Sequence, residues 1–274
     1  MPPHRAPPSC RIVVDAAVGR TVFVAPGRAD RPGSDGPETC PFCAGQEHRT
    51  PHEVLRDPAD PRLPWVARIV PNRYPIVVDG ARGDPPSACG PDATARTAHG
   101  VHEVIVESPR HDVSILEVEP GSWLASWRLA RDRLAALAAR GDLAWGMVFK
   151  NSGPAAGASI DHVHSQLVAL DAVPPPVAAL HAAGDRAEWR GILDAASREE
   201  RVIASDGDLV AIVPPAPRQP FETWIVPRRP GPWFHAAAEE DVAALARLSR
   251  GIVARLDRAA PGADFNWWLL QAPF

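Results

Sequence analysis

The stretch that most constrains this 274-residue chain is Phe-Lys-Asn-Ser-Gly-Pro-Ala-Ala-Gly-Ala-Ser-Ile-Asp-His-Val-His-Ser-Gln-Leu-Val-Ala-Leu, residues 149–170. A loop of small residues runs into a segment of alternating character. In a β-strand, residues two apart share a face, at steps of roughly 7 Å. His162, His164 and Gln166 are thereby expected on one face. Val163 and Leu167 point the other way, with Ser165 between them. Two imidazoles and an amide in a row suit chemistry better than core filling. The preceding loop, 151–159, offers backbone N–H groups with few side chains in the way, as phosphate-cradling loops do. The plain alternatives are a strand with two surface histidines and a loop that merely turns. Lys150, Asn151 and Ser159 flanking both elements favour a site.

Bulk properties exclude several classes. Net charge is −4, with 45% hydrophobic and 23% charged residues. That is a globular composition and not that of a general nucleic-acid-binding surface. No apolar run approaches the roughly 20 residues of a membrane helix. Met1-Pro-Pro-His-Arg-Ala-Pro-Pro lacks the apolar core of a signal peptide. A cytoplasmic protein without nucleic-acid or membrane partners is expected. In a reducing compartment, Cys40-Pro-Phe-Cys43 reads as a zinc knuckle or a redox pair. Its setting after a Pro/Gly loop, with Gly45 close behind, favours zinc, because a redox pair should open a helix after a strand. By proximity, His48 or His52 would complete the ligand set. Cys89 has no evident partner and is assigned no role.

The remaining elements follow from periodicity and punctuation. Residues 1–10 are Pro-rich and expected to lack order. Two short strands are expected over 11–25, then a polar loop over 26–38 that carries Arg28 and Arg31. Their guanidinium forks suit phosphate oxygens, although two arginines in a solvated loop are the plain reading. Strands are predicted over 65–70 and 74–79 around Pro71-Asn72-Arg73, with a loop over 80–99. Asn72 is a candidate ligand contact or simply a turn residue. Ser122–Arg140 is predicted as a helix with Trp123, Trp127, Leu134, Leu137 and Ala138 on one stripe and Gly141 as its stop. Leu143–Phe149 should be a strand. Residues 173–176 read as a linker, 181–201 as helical, and 208–213 and 221–226 as strands. Glu239–Asp257 reads as an amphipathic helix and Phe265–Leu270 as a strand.

The motif His162-Val163-His164-Ser165-Gln166, with Lys150 to Ser159 leading into it, resembles the active-site segment of the galactose-1-phosphate uridylyltransferase family. This is the transferase branch of the histidine-triad superfamily and includes ADP-glucose/phosphate adenylyltransferases. Arg28, Arg31 and Pro32 resemble that family's Arg-x-x-Arg-Pro element. Gly100 to Pro109 resembles its strand before a Ser-Pro-x-His turn, here Ser108 to His111, and Pro220 to Pro227 resembles its Pro-Phe-Glu strand. The resemblance implies an α+β fold of two histidine-triad-like half-domains, antiparallel sheets with helices on one face. It implies an N-terminal domain over 11–172 and a C-terminal domain over 173–274, the latter short at its C-terminus relative to the family. It also implies a closed structural Zn2+ site of Cys40, Cys43, His111 and His162. His164 is implied as the covalent nucleophile with Gln166 beside it. Arg28, Arg31, Asn72, Asn151, Gly153, Gly157, Ser159 and Gln166 are implied to contact substrate. The expected reaction is ping-pong transfer of UMP between UDP-glucose and a hexose 1-phosphate. AMP transfer between ADP-glucose and phosphate is the near alternative, and a non-catalytic zinc-stabilised nucleotide-binding protein the distant one. The partners implied are a nucleoside diphosphate sugar, a sugar phosphate or phosphate, and a second copy in a homodimer.

Overall fold

The computed structural model describes residues 10–15, 20–30, 38, 40–80, 87–90, 93–182, 186–229, 231 and 233–274. In chain order its elements begin with β1 (Arg11–Asp15), β2 (Arg20–Val24), β3 (Leu55–Asp57), β4 (Ala67–Pro71), β5 (Ser87–Gly90), β6 (Ala93–Thr97) and β7 (Gly100–Val106). Helix α1 (Pro120–Ala138), β8 (Trp145–Ser152) and β9 (His164–Leu170) follow. Then come α2 (Pro175–Ala182), α3 (Arg186–Arg198), β10 (Val202–Asp206), β11 (Leu209–Ile212), β12 (Trp224–Pro227), α4 (Glu239–Ala259) and β13 (Phe265–Leu269). The architecture is the expected α+β type. Antiparallel strands run β13-β8-β9-β7-β4-β3 in a main sheet, β2-β1-β6-β5 in a second and β10-β11-β12 in a third.

The centre of the main sheet is β7 paired with β9, in register from Gly100↔Leu170 to Val106↔His164. All seven residues of each strand are buried. Alternation sorts β9 as the spacing predicts. Leu167 and Ala169 join the core beneath α1, with Leu134 and Leu137 fully buried against them. Val168 and Leu170 face the opposite cluster with Trp145, Ile12 and Val177. Pro at the first position and Gly141 with φ of +73° just beyond the end bracket α1. Truncating Leu134 or Leu137 to Ala would cost about 2–5 kcal/mol. The helix is also tied to the sheet by a partly buried ion pair, Arg133 Nη2 to Glu103 Oε1 at 2.6 Å.

Several expectations need correction. Residues 80–99 are not a loop throughout, because β6 pairs along β1 and carries β5 at its other side. The strand Ala-Thr-Ala-Arg-Thr is short of large apolar residues, so its signal was weak. Residues 74–79 form no strand, apart from a bridge from Val78 to His99. Pro75 lacks a donor there, and the Asn72 side chain takes the Tyr74 N–H at 2.8 Å. Strand β10 was missed. The linker at 173–176 is short, since α2 begins at Pro175. Finally, β13 lies in the C-terminal part yet forms the edge of the main sheet, paired to β8 from Phe265↔Ser152 to Leu269↔Val148. Helix α4 packs on α1, and Trp123 Nε1 donates to the Ala246 carbonyl at 2.9 Å. The two parts divided at residue 172 thus share one sheet and one helix pair.

Candidate active site and metal cluster

The start of β9 and the loop before it bring several chemically capable groups together. His162 precedes the strand rather than lying within it, with its side chain fully buried. Its Nε2–H donates to the Ser108 carbonyl at 2.9 Å. A carbonyl only accepts, so the lone pair of the neutral ring sits on Nδ1. That Nδ1 lies 3.5 Å from Cys40 Sγ and 3.6 Å from Cys43 Sγ. His111 Nδ1 lies 3.4 Å from Cys43 Sγ. Ligand atoms of Cys40, Cys43, His111 and His162 all fall within 4.8 Å of one another. A tetrahedral zinc with Zn–S near 2.3 Å and Zn–N near 2.0 Å has S···N edges of about 3.5 Å. The donor set therefore fits a closed Cys2His2 ion. His48 and His52, the nearer choices by sequence, are exposed and lie outside the cluster.

Without an ion, burial favours the neutral forms of the cluster's groups. Burial, reinforced by neighbouring Cys40, pushes the Cys43 thiol up to about 11. Burial likewise pulls His162 down to about 4. A divalent ion reverses the thiol's preference by stabilising the thiolate, and it needs the imidazole neutral. The Cys40–Cys43 turn is held from behind. Ala44 N–H donates to the Pro109 carbonyl at 2.8 Å, and Arg68 Nη2 donates to the Pro41 carbonyl at 3.3 Å.

Two residues on, the backbone of His162 serves a second purpose. Its carbonyl accepts the His164 Nδ1–H at 2.8 Å. This fixes the His164 tautomer and leaves Nε2 to carry the ring's lone pair. Phe42, between the two cysteines, packs against both histidines, with ring centroids 5.9 Å from His162 and 5.3 Å from His164. Gln166 follows on the same face, with Oε1 3.0 Å from His102 Nε2.

Lys150 is turned inward. Its Nζ donates to Glu107 Oε2 at 2.6 Å and to the His164 carbonyl at 2.7 Å, with both charged side chains 2% exposed. Ser165 Oγ donates to the other Glu107 oxygen. Burial, opposed by Glu107, lowers the lysine's proton affinity. This Lys–Glu–Ser set braces the backbone of His164 from below; sequence reasoning noted Lys150 but not its partner, which lies 43 residues away.

The loop is less open than its composition suggests. The backbone N–H groups of Gly157 and Ala158 go to the Pro154 and Gly153 carbonyls. The Ala155 N–H goes to Asp264 Oδ2 at 2.6 Å. Gly153 sits at φ +88° with the Asp264 carboxylate where a Cβ would be. The expectation that the backbone of loop 151–159 supplies phosphate donors is corrected to this extent: two of its amides bond within the loop and a third bonds to Asp264. Asn151 leaves the end of β8, its Oδ1 accepting from Asn266 Nδ2 at 2.8 Å. Gly157 is adjacent to it, and Ser159 lies half-buried in the same loop. Arg28 Nη1 donates to the Tyr74 carbonyl at 2.8 Å, which places it beside the turn of Asn72. Arg31 and Pro32 lie outside the described residues, and Cys89 has no described side chain.

Sequence reasoning missed His102, Glu107, Asp264 and Asn266. His102 lies in β7 and Glu107 just beyond its end, where period-2 alternation places a polar side chain on either face; Asp264 and Asn266 carry no such signal.

Comparison with known proteins places this geometry. Residues 68–174 match the model for the galactose-1-phosphate uridyl transferase N-terminal domain. An ADP-glucose phosphorylase of Arabidopsis thaliana is 30% identical over 279 residues, covering 94% of this chain and 77% of that protein. The crystal structure of an ADP-glucose phosphorylase from Arabidopsis thaliana with bound ADP-glucose superposes with a TM-score of 0.72 at 28% identity, covering 97% of this chain and 83% of the other. A solved uridylyltransferase gives a TM-score of 0.78 at 27% identity, covering 96% and 81%.

Proposed function

Because the chain belongs to the galactose-1-phosphate uridylyltransferase family, which includes ADP-glucose phosphorylases, we propose that it transfers a nucleoside monophosphate through His164, with AMP from ADP-glucose to phosphate as the reaction. The observation that carries this reading is the His162 carbonyl holding the His164 Nδ1–H at 2.8 Å. It presents a neutral imidazole whose Nε2 can attack phosphorus. The bond formed is Nε2–Pα. The bond broken joins Pα to the oxygen bridging to the β-phosphate, and glucose 1-phosphate leaves with that electron pair. Positive charge then grows on the ring, and the Nδ1–H···O=C bond strengthens as it does. A phosphate oxygen next attacks Pα, the P–N bond breaks, ADP leaves and neutral His164 is restored. Splitting the transfer in this way predicts ping-pong kinetics. Gln166, Asn151, Asn72 and Ser159 are the candidate hydrogen-bond donors to the phosphates. Arg28 is a candidate for the nucleotide side.

Adenine is favoured over uracil by the 30%-identical ADP-glucose phosphorylase spanning 94% of this chain. The scaffold also superposes on a uridylyltransferase, so UMP transfer from UDP-glucose to a hexose 1-phosphate is the second reading. Zinc is the proposed ion of the Cys40–Cys43–His111–His162 cluster. All four positions would be filled by protein, so its role would be structural, tying the cysteine turn to the histidine segment.

Steady-state turnover separates the two substrate readings. Glucose 1-phosphate release from ADP-glucose that requires added phosphate supports the first. Turnover of UDP-glucose with galactose 1-phosphate, and none of ADP-glucose, would replace it with the second. Zinc content by elemental analysis should be one per chain and should fall in Cys43→Ser.

A further inference from the structure

Amide side chains are ambiguous groups, because each offers a carbonyl that repels phosphate and an NH2 that attracts it, and half a turn exchanges them. At this site the ambiguity is removed. His102 Nδ1 lies 3.1 Å from the Ile76 backbone N–H. A backbone N–H only donates, so Nδ1 bears the lone pair and the proton of the neutral ring is on Nε2. Gln166 Oε1 and Asn72 Nδ2 both lie 3.0 Å from that Nε2. Asn72 cannot accept there, because its Oδ1 is turned away to take the Tyr74 N–H at 2.8 Å. The His102 proton therefore goes to the one acceptor, Gln166 Oε1. Asn151 repeats the pattern: its Oδ1 accepts from Asn266 Nδ2, and the same Nδ2 is held by the Ala156 carbonyl at 2.9 Å. In Gln166 and Asn151 a protein donor takes the carbonyl and the NH2 end is left to donate; in Asn72 the carbonyl is likewise taken, but its NH2 faces the His102 N–H.

We propose that His102 and Asn266 are positioning residues that hold Gln166 and Asn151 with their NH2 ends toward the phosphates of the bound nucleotide sugar. The proposal rests on the nucleotidyl-transfer reading above. The shared logic of Gln166 and Asn151, and not either contact alone, points to an anionic ligand. Amide donors whose carbonyls are already taken favour phosphate oxygens over a cation. His102 is reached from β7 and Asn266 from β13, so the two strands flanking the β8–β9 pair each orient one amide.

The test is a double-mutant cycle read by the rate at which ADP-glucose labelled in its α-phosphate forms labelled enzyme. His102→Phe removes the ring's hydrogen bonds to Ile76 and Gln166. It should slow labelling by roughly 10–100-fold, and His102→Gln, which retains a donor, should recover most of that loss. In a Gln166→Ala background His102→Phe should cost within about twofold. An equal loss in both backgrounds would overturn the assignment, because a merely structural histidine acts whether or not Gln166 is present. Asn266 is exposed, so its variants bear on the same point without disturbing the core. Asn266→Asp leaves an acceptor opposite Asn151 Oδ1 and should turn that amide round, raising KM for ADP-glucose about 10-fold with Asn151 present and little in an Asn151→Ala background. An unchanged KM, or the same rise in both backgrounds, would overturn it. Absence of label in the wild-type enzyme from either ADP-glucose or UDP-glucose would instead remove the nucleotidyl-transfer reading beneath the proposal.

Discussion

The two ends of one short segment, His162 and Gln166, are built for opposite charges. At the first, two imidazole nitrogens and two sulfurs converge with their lone pairs. At the second, protein donors take the amide carbonyls of Gln166 and Asn72. Burial does not distinguish the ends, since His162 is 0% and Gln166 4% exposed. What differs is the atom that the protein itself ties off. Ser108 takes the N–H of His162, leaving a lone pair for a cation. His102 takes the carbonyl of Gln166, leaving an N–H for an anion. His164 stands between, its ring set by the carbonyl of His162 and its own carbonyl held by Lys150. Polarity in a buried site is thus decided by second partners as much as by residue type.

The largest expected effect breaks the comparison at its midpoint. His164→Ala should lower turnover on the order of 10^6-fold, as loss of a nucleophile does, while zinc content and thermal midpoint stay at wild-type values. A loss below tenfold would put the nucleophile elsewhere. The next tests the brace shared by both ends. Lys150→Met leaves Glu107 buried without its counter-charge and should destabilise the fold by about 3–5 kcal/mol in urea unfolding. A change below about 1 kcal/mol would mean that the Lys150–Glu107 pair contributes little to stability. Third, the cation end should respond to metal alone. Free zinc at about 100 times its Kd should stabilise the protein by about 2.7 kcal/mol over the chelated form. Cys43→Ser should abolish that response and Gln166→Ala should not. The smallest effect sharpens the contrast by leaving the site. Arg247, 62% exposed, pairs with Asp206 at 2.6 Å between α4 and the third sheet. Arg247→Ala should change stability by no more than about 1 kcal/mol, against the larger cost at Lys150.

Much of this was legible in the chain, but unevenly. The alternation from Val163 to Leu170 predicted which side chains share a face, because strand geometry is local. The α1 stripe was legible for the same reason: Leu134 and Leu137 lie at helical spacing and are fully buried. The four cluster residues were named through resemblance; spacing alone pointed to His48 and His52. Proximity in sequence misleads here because the cluster joins segments 119–122 residues apart. The orienting residues were hidden for a related reason. His102 looks like one more polar residue on a strand until Ile76 and Gln166 are seen on its two nitrogens. Asp264 and Asn266 act on a loop more than 100 residues earlier. The edge position of β13 was equally unreadable, since nothing local in Phe-Asn-Trp-Trp-Leu says which strand it will meet.

The most direct measurement is covalent. The zinc-loaded protein is incubated with ADP-glucose labelled in the α-phosphate, in the absence of phosphate, and the denatured protein is examined for acid-labile label. The account predicts close to one label per active chain, carried on His164 and discharged as ADP when phosphate is added, with none on His164→Ala. Label that persists in His164→Ala, or folded zinc-loaded protein that takes none from ADP-glucose or UDP-glucose, would contradict it.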